Sequence, residues 1–201
     1  MILVIDYGMG NLRSVSKALE HLGAEVKISG SYKDLDLADK AVLPGVGAFG
    51  DACDELRRGQ WVEPIRKYVA DGRPFLGICL GLQLFFGSSE ESPGTEGLNL
   101  LPGRVVLFRE KELKVPHMGW NQTGKVSHPL WQGIPDQSYF YFVHSYYAVC
   151  EDSEAAAAPC TYGSTVFPAA LGKGNLFATQ FHPEKSQKAG LQLLKNFVEW
   201  S

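Results

Sequence analysis

The chain has 201 residues, 45% of them hydrophobic and 20% charged, which is enough to close a sizeable core as one domain. Nineteen basic and 22 acidic residues are spread along it and leave a net charge of -3, so it carries no electrostatic footprint for a phosphate backbone or an anionic membrane. The opening apolar run Met1-Ile2-Leu3-Val4-Ile5 meets Asp6 too soon to be a signal-peptide core or a membrane span, and the chain reads as soluble and cytoplasmic.

In chain order, Ile2 to Ile5 reads as a buried strand and Leu12 to Leu22 as a helix following Asn11. Strands are expected at Ala24 to Ile28, Lys40 to Leu43 and Arg73 to Ile78, with helices at Asp51 to Arg58 and Trp61 to Ala70. This alternation predicts an α/β protein with a mostly parallel central sheet flanked by helices. From Leu101 the pattern turns β-rich and predicts an antiparallel or mixed second half. Its strands are expected at Arg104 to Phe108, Glu112 to Val115, Tyr139 to Val149, Thr161 to Phe167 and Asn175 to Phe181. Glu154 to Pro159 reads as an exposed loop, and Ser186 to Trp200 as a closing helix. The four cysteines, Cys53, Cys79, Cys150 and Cys160, are widely spread, and neither Cys-x-x-Cys nor His-x-x-x-His occurs, so neither a disulfide framework nor a metal site is expected.

The segment richest in chemistry is Phe75-Leu76-Gly77-Ile78-Cys79-Leu80-Gly81-Leu82-Gln83, an apolar strand ending in Gly-x-Cys-x-Gly before a helical pattern. That is a nucleophile elbow with sulfur in place of oxygen. Its glycines permit a tight strand-to-helix turn that exposes Cys79 at the carboxyl edge of the sheet, where helix N–H groups favour the thiolate. Of the five histidines, His182 ends a predicted strand. Pro183 fixes the turn after it, and Glu184 is close enough to orient the imidazole. Alone, this would read as a strand-end histidine with a helix-capping acid; Cys79 tips the balance. Leu43-Pro44-Gly45-Val46-Gly47 follows another strand of the same half. A backbone N–H from this loop, at Val46, could pair with that of Leu80 as an oxyanion hole. Asp6-Tyr7-Gly8-Met9-Gly10-Asn11 invites a dinucleotide reading, but the third glycine of Gly-x-Gly-x-x-Gly is replaced by Arg13, so no cofactor is expected.

Set side by side, these segments make the chain resemble the triad (class I) glutamine amidotransferases over nearly its whole length, residues 1–201 forming one such domain. The nucleophile motif Gly77-Ile78-Cys79-Leu80-Gly81-Leu82-Gln83 and Gln180-Phe181-His182-Pro183-Glu184-Lys185-Ser186 carry the class resemblance. Asp6-Tyr7-Gly8-Met9-Gly10-Asn11, Pro44-Gly45-Val46-Gly47, His117-Met118-Gly119-Trp120-Asn121 and Phe142-Val143-His144-Ser145-Tyr146 are similar to the branch of imidazole glycerol phosphate synthase glutaminases. The resemblance implies a Cys79–His182–Glu184 triad that hydrolyses L-glutamine through a cysteine thioester. It implies glutamine contacts at Gly47, Gln83, Glu91, His144, Ser145 and Tyr146. It also implies a heterodimeric partner, a (β/α)8-barrel cyclase that consumes the ammonia in histidine biosynthesis, with Trp120, Tyr141 and Lys185 at the interface. Two alternatives stay open: a glutaminase subunit of the anthranilate or aminodeoxychorismate synthase type, and a noncatalytic regulatory subunit with the same fold.

Overall fold

A computed structural model describes residues 1–111 and 113–200. Its framework is a nine-stranded sheet in the order β2 (Val26–Ser29), β1 (Ile2–Ile5), β3 (Lys40–Gly45), β4 (Phe75–Cys79), β11 (Leu176–Thr179), β10 (Thr165–Lys173), β9 (Ala156–Tyr162), β6 (His117–Thr123) and β7 (Ser138–His144), with a separate two-stranded sheet of β5 (Gly103–Leu107) and β8 (Tyr146–Cys150). Strands β1, β2, β3, β4 and β11 run parallel to one another. Each of β1, β4 and β11 is buried along its full length. Strands covered on both faces gain apolar burial at every position, so the period-2 polar signal vanishes and the sequence shows a continuous apolar run.

Alternate residues of these strands feed two cores. Leu3, Ile5 and Leu43 point to one that also takes Phe49, Leu56 and Ile65 from helices α2 (Phe49–Arg58) and α3 (Val62–Ala70). Ile2, Val4, Val42, Leu76 and Ile78 point to the other, which takes Val15 and Leu19 from α1 (Leu12–His21) and Leu193, Leu194 and Phe197 from α5 (Gln187–Glu199). The parallel strands therefore end together at one edge, where short helix α4 (Leu80–Gln83) leaves β4. Among the described residues no helix is long and apolar enough to cross a membrane.

The antiparallel half comprises β5, β6, β7, β8, β9 and β10. Here the structure corrects several expectations. The run Tyr139 to Val149 is two strands in different sheets: it breaks at Ser145, whose carbonyl accepts from the Phe108 N–H at 3.0 Å. Thr161 to Phe167 straddles a hairpin that turns at Gly163. The alanine-rich stretch is not an exposed loop, since Ala156, Ala157 and Ala158 pair with β10 as part of β9 and Ala158 is fully buried. Alanine has weak strand propensity, and the pairing partner decides the conformation. Leu113 to Val115 is not a strand, Glu112 lies outside the described residues, and β6 begins at His117.

Candidate active site

Register explains how distant segments meet. Gly45 pairs with Cys79 across β3–β4, and Ile78 pairs with Thr179 across β4–β11, so the residues following β3, β4 and β11 emerge in one row. Cys79 sits at the turn with φ 57° and ψ -109°, a left-handed backbone state that costs a non-glycine residue about 1–3 kcal/mol. The turn is possible because a Cβ on Gly81 would lie 2.0 Å from the Leu43 carbonyl oxygen, an approach only glycine allows. The strained turn aims the Cys79 side chain into a cavity of about 310 Å³.

His182 faces the same cavity, three residues beyond the end of β11. Two hydrogen bonds hold its backbone, and a third ties their partners together. The His182 N–H donates to the Tyr141 carbonyl at 3.0 Å, the Ser186 hydroxyl donates to the His182 carbonyl at 2.6 Å, and the Tyr141 N–H donates to the Ser186 hydroxyl at 2.9 Å. Nδ1 lies 2.9 Å from Glu184 Oε1, and both side chains are buried. Nε2 forms no hydrogen bond in this state. Burial opposes a charge on this imidazole, but attraction from the Cys79 sulfur and the Glu184 carboxylate outweighs it and raises the pKa from 6.5 to about 9. Glu184 does not line the cavity; it stands behind His182 and fixes which ring nitrogen carries the proton.

Every residue expected to contact glutamine or supply the oxyanion hole lines this one cavity: Val46, Gly47, Leu80, Gln83, Glu91, His144, Ser145 and Tyr146, joined by Pro116 and Val143. Glu91 is already half engaged, because Oε2 accepts from the Phe49 N–H at the start of α2 at 2.7 Å. Gly47 has φ +97°, a backbone state that favours glycine. Trp120, Tyr141 and Lys185 are not in the cavity and instead form an outer cluster. The Trp120 and Tyr141 rings meet edge to face at 6.1 Å, and Lys185 Nζ lies 6.0 Å from the Tyr141 ring centre. Trp120 is 45% exposed and nearby Met118 63%, making an apolar surface beside the site.

A buried hydrogen-bonded chain behind the cavity wall has no counterpart among the sequence motifs. His144 Nδ1 lies 2.8 Å from the Tyr146 carbonyl, which can only accept, so Nε2 is the acceptor for His117 Nδ1 at 3.0 Å. His117 Nε2 in turn accepts from Asn121 Nδ2 at 3.3 Å. Burial lowers His117 from 6.5 to about 4 and His144 to about 3, so both stay neutral and the direction of the chain is fixed. From the Tyr146 carbonyl the network continues through Gln83 Nε2 at 3.1 Å to Gln180 Oε1 at 3.2 Å, and Gln180 Nε2 reaches the Cys79 sulfur at 3.9 Å. The signal that could have found it is the β6–β7 register, which sets His117 opposite His144, but that pairing is invisible until β6 is located.

Residues 3–200 match the family model described as glutamine amidotransferase class-I. Curated relatives include the imidazole glycerol phosphate synthase subunit HisH of Syntrophotalea carbinolica, 54% identical with 98% of each chain covered. The same subunit of Chlorobaculum tepidum is 47% identical with 100% of each chain covered. The fold is shared with a solved glutamine amidotransferase (TM-score 0.78, 19% identity, 98% and 97% of the two chains). It is also shared with PurLQS from Thermotoga maritima (TM-score 0.76, 20% identity, 99% and 97%). A strained cysteine elbow facing a histidine backed by a carboxylate thus sits in a fold and a sequence of one lineage: the chain belongs to the class-I glutamine amidotransferase family, among the HisH subunits of imidazole glycerol phosphate synthase.

Proposed function

We propose that the chain hydrolyses L-glutamine at Cys79 and delivers the ammonia to a (β/α)8-barrel cyclase that makes imidazole glycerol phosphate and an aminoimidazole carboxamide ribotide. The observation that carries this reading is the convergence of Cys79, His182 and the Val46–Gly47 loop on one cavity, with Glu184 buried behind His182. The sulfur of Cys79, its proton held on His182, adds to the carboxamide carbon. The oxygen then gains negative charge, for which the N–H groups of Val46 and Leu80 are the donors. His182 returns its proton to the departing nitrogen, ammonia leaves, and a thioester remains on Cys79. His182 then takes a proton from water as the water attacks the thioester, glutamate is released and the thiol is regenerated. Glu184 holds the Nδ1 proton throughout, so Nε2 is always the nitrogen that exchanges.

Gln83, Glu91 and the strand-end backbone of His144, Ser145 and Tyr146 supply acceptors and donors suited to the α-amino and carboxylate groups of glutamine. Ammonia released into water would become ammonium and lose its nucleophilicity, so the cavity needs a partner sealed over it. The exposed Met118, Trp120 and Lys185, with half-buried Tyr141 packed beside them, support placing that partner next to the cavity, in a cytoplasmic heterodimer.

A glutamine-derived electrophile tests the reading. It should label Cys79 once and spare Cys53, Cys150 and Cys160: burial raises Cys53 to about 11 and Cys160 to about 12, and raises Cys150 as well, so these three stay thiols near neutrality. Peptide mapping that placed the label mainly on another cysteine would refute the nucleophile.

A further inference from the structure

We infer that Tyr7 is a positioning residue for the oxyanion hole: its hydroxyl donates to the Gly45 carbonyl when the Gly45–Val46 peptide turns its N–H into the cavity. This rests on the glutaminase reading above. Tyr7 lies two residues past the end of β1, and β1 pairs with β3 from Ile2↔Lys40 through Val4↔Val42. Continuing that register brings Tyr7 level with Gly45, the last residue of β3. The phenol is 4% exposed, and its oxygen is buried with no hydrogen-bond partner. A Cβ on Gly45 would lie 2.7 Å from that oxygen, 2.9 Å from Leu80 Cβ and 3.1 Å from the Gly81 nitrogen. The hydroxyl therefore occupies the space between the oxyanion loop and the nucleophile elbow, and it takes the room that any side chain at position 45 would need.

An unpaired buried hydroxyl costs stability that a phenylalanine would not. Its use lies in another arrangement of its neighbours. A peptide unit is planar, with C=O and N–H on opposite sides, so turning the Val46 N–H toward a developing oxyanion swings the Gly45 carbonyl the other way. The Tyr7 hydroxyl is buried beside Gly45, and a carbonyl turned into buried surroundings without a donor would hold the loop back. The Tyr7 hydroxyl is the donor at hand. Burial, reinforced by the neighbouring sulfurs of Cys79 and Cys53, keeps its proton on well above the ordinary phenol range, so it donates at any working pH. Gly47, at φ +97° on the far side of Val46, gives the loop the freedom the turn requires.

The test compares wild type with Tyr7→Phe, each assembled with the barrel cyclase, for glutamate release with and without the acceptor nucleotide. Ammonia-dependent cyclisation controls for assembly, and thermal unfolding of the free chain controls for folding. The expected result is a loss of about tenfold in kcat with the acceptor bound, the worth of one hydrogen bond made in the reacting state. The KM for glutamine, the rate without acceptor and ammonia-dependent synthesis should be unchanged, and the thermal midpoint equal or higher. Full acceptor-stimulated turnover in Tyr7→Phe overturns the proposal, and so does an equal loss with and without acceptor, which would make the hydroxyl a fixture of the fold. A wild-type complex that releases no glutamate in either condition refutes the glutaminase reading itself.

Discussion

The parallel and antiparallel halves of the sheet contribute to the same cavity in different ways. The parallel half supplies strand tips: β1, β3, β4 and β11 end in register, and the groups that would do the chemistry stand at their tips or just beyond, where the chain turns sharply at Cys79, Gly45–Gly47 and His182. The antiparallel half supplies a wall: β6 and β7 lay His117 opposite His144 along the cavity and leave Met118 and Trp120 facing outward. A parallel edge gathers strand ends at one place, whereas an antiparallel ribbon presents a wall along its length. The difference predicts that changes in the parallel half alter turnover, and changes in the antiparallel half alter substrate affinity or pairing with the partner.

The largest effect is expected at Cys79. Cys79→Ala should lower glutamine-dependent synthesis by about 10⁶-fold, as when a triad nucleophile is deleted, while synthesis from added ammonia persists. Glutamate release near the wild-type rate would break the assignment of chemistry to the parallel edge. Next comes Gly47→Ala, whose Cβ would meet Met9 Cε at 2.7 Å from a left-handed backbone. Holding the loop away from the cavity removes one oxyanion donor and should cost about 10²- to 10³-fold in kcat, with KM little changed. A harmless Gly47→Ala would move the donor elsewhere.

His117→Phe sharpens the other side of the comparison. It keeps the aromatic packing against Phe108, Phe142, Tyr162 and Phe167 but removes the donor to His144 Nε2. One such bond is worth about 1–1.5 kcal/mol, so the KM for glutamine should rise about tenfold while kcat at saturation stays. A fall in kcat at unchanged KM would erase the division between the halves.

The smallest effects are in stability, and they divide by pH. In the antiparallel half and its loops, buried His117 and half-buried His128 are lowered to about 4 and buried His144 to about 3, so all three are held neutral. The unfolded chain takes up their protons below about 6.5, so stability should fall as the pH drops from 6.5 toward 4. His182 has the opposite sign: with its pKa raised to about 9, its contribution is complete below 6.5 and is lost as the pH rises through 9. Denaturant midpoints measured across this range should show both limbs. Cys79→Ala should shrink the alkaline one, because the sulfur supports the upward shift of His182.

The same two halves differ in how far the sequence discloses them. The strands β1, β3, β4 and β11 are buried on both faces, so each is a bounded apolar run, and the motifs lie at their ends; Cys79, His182, Glu184 and the Val46–Gly47 loop were legible for that reason. Short-range chemistry also marks them: a cysteine between glycines and a His-Pro-Glu run each declare a turn and a reactive group within a few residues. The antiparallel strands lack such marks. The first four residues of β9, Ala156-Ala157-Ala158-Pro159, have little strand preference and take their form from pairing with β10. The break at Ser145 separates two equally β-prone segments, and only their membership in different sheets reveals it.

What the sequence determined by itself is local: the apolar periodicity that makes strands and helices, and the residue types at the turns that make a nucleophile, a base and a flexible loop. What the tertiary structure alone decided is every contact between residues far apart in the chain. The Gly45↔Cys79 and Ile78↔Thr179 registers align the strand tips, and the His117–His144 bond links two strands across the sheet. The bare hydroxyl of Tyr7 beneath Gly45 is a contact of the same kind. Periodicity fixes which face of an element is apolar but not which partner that face will meet, because partner and register follow from the joint packing of all the elements around the two cores.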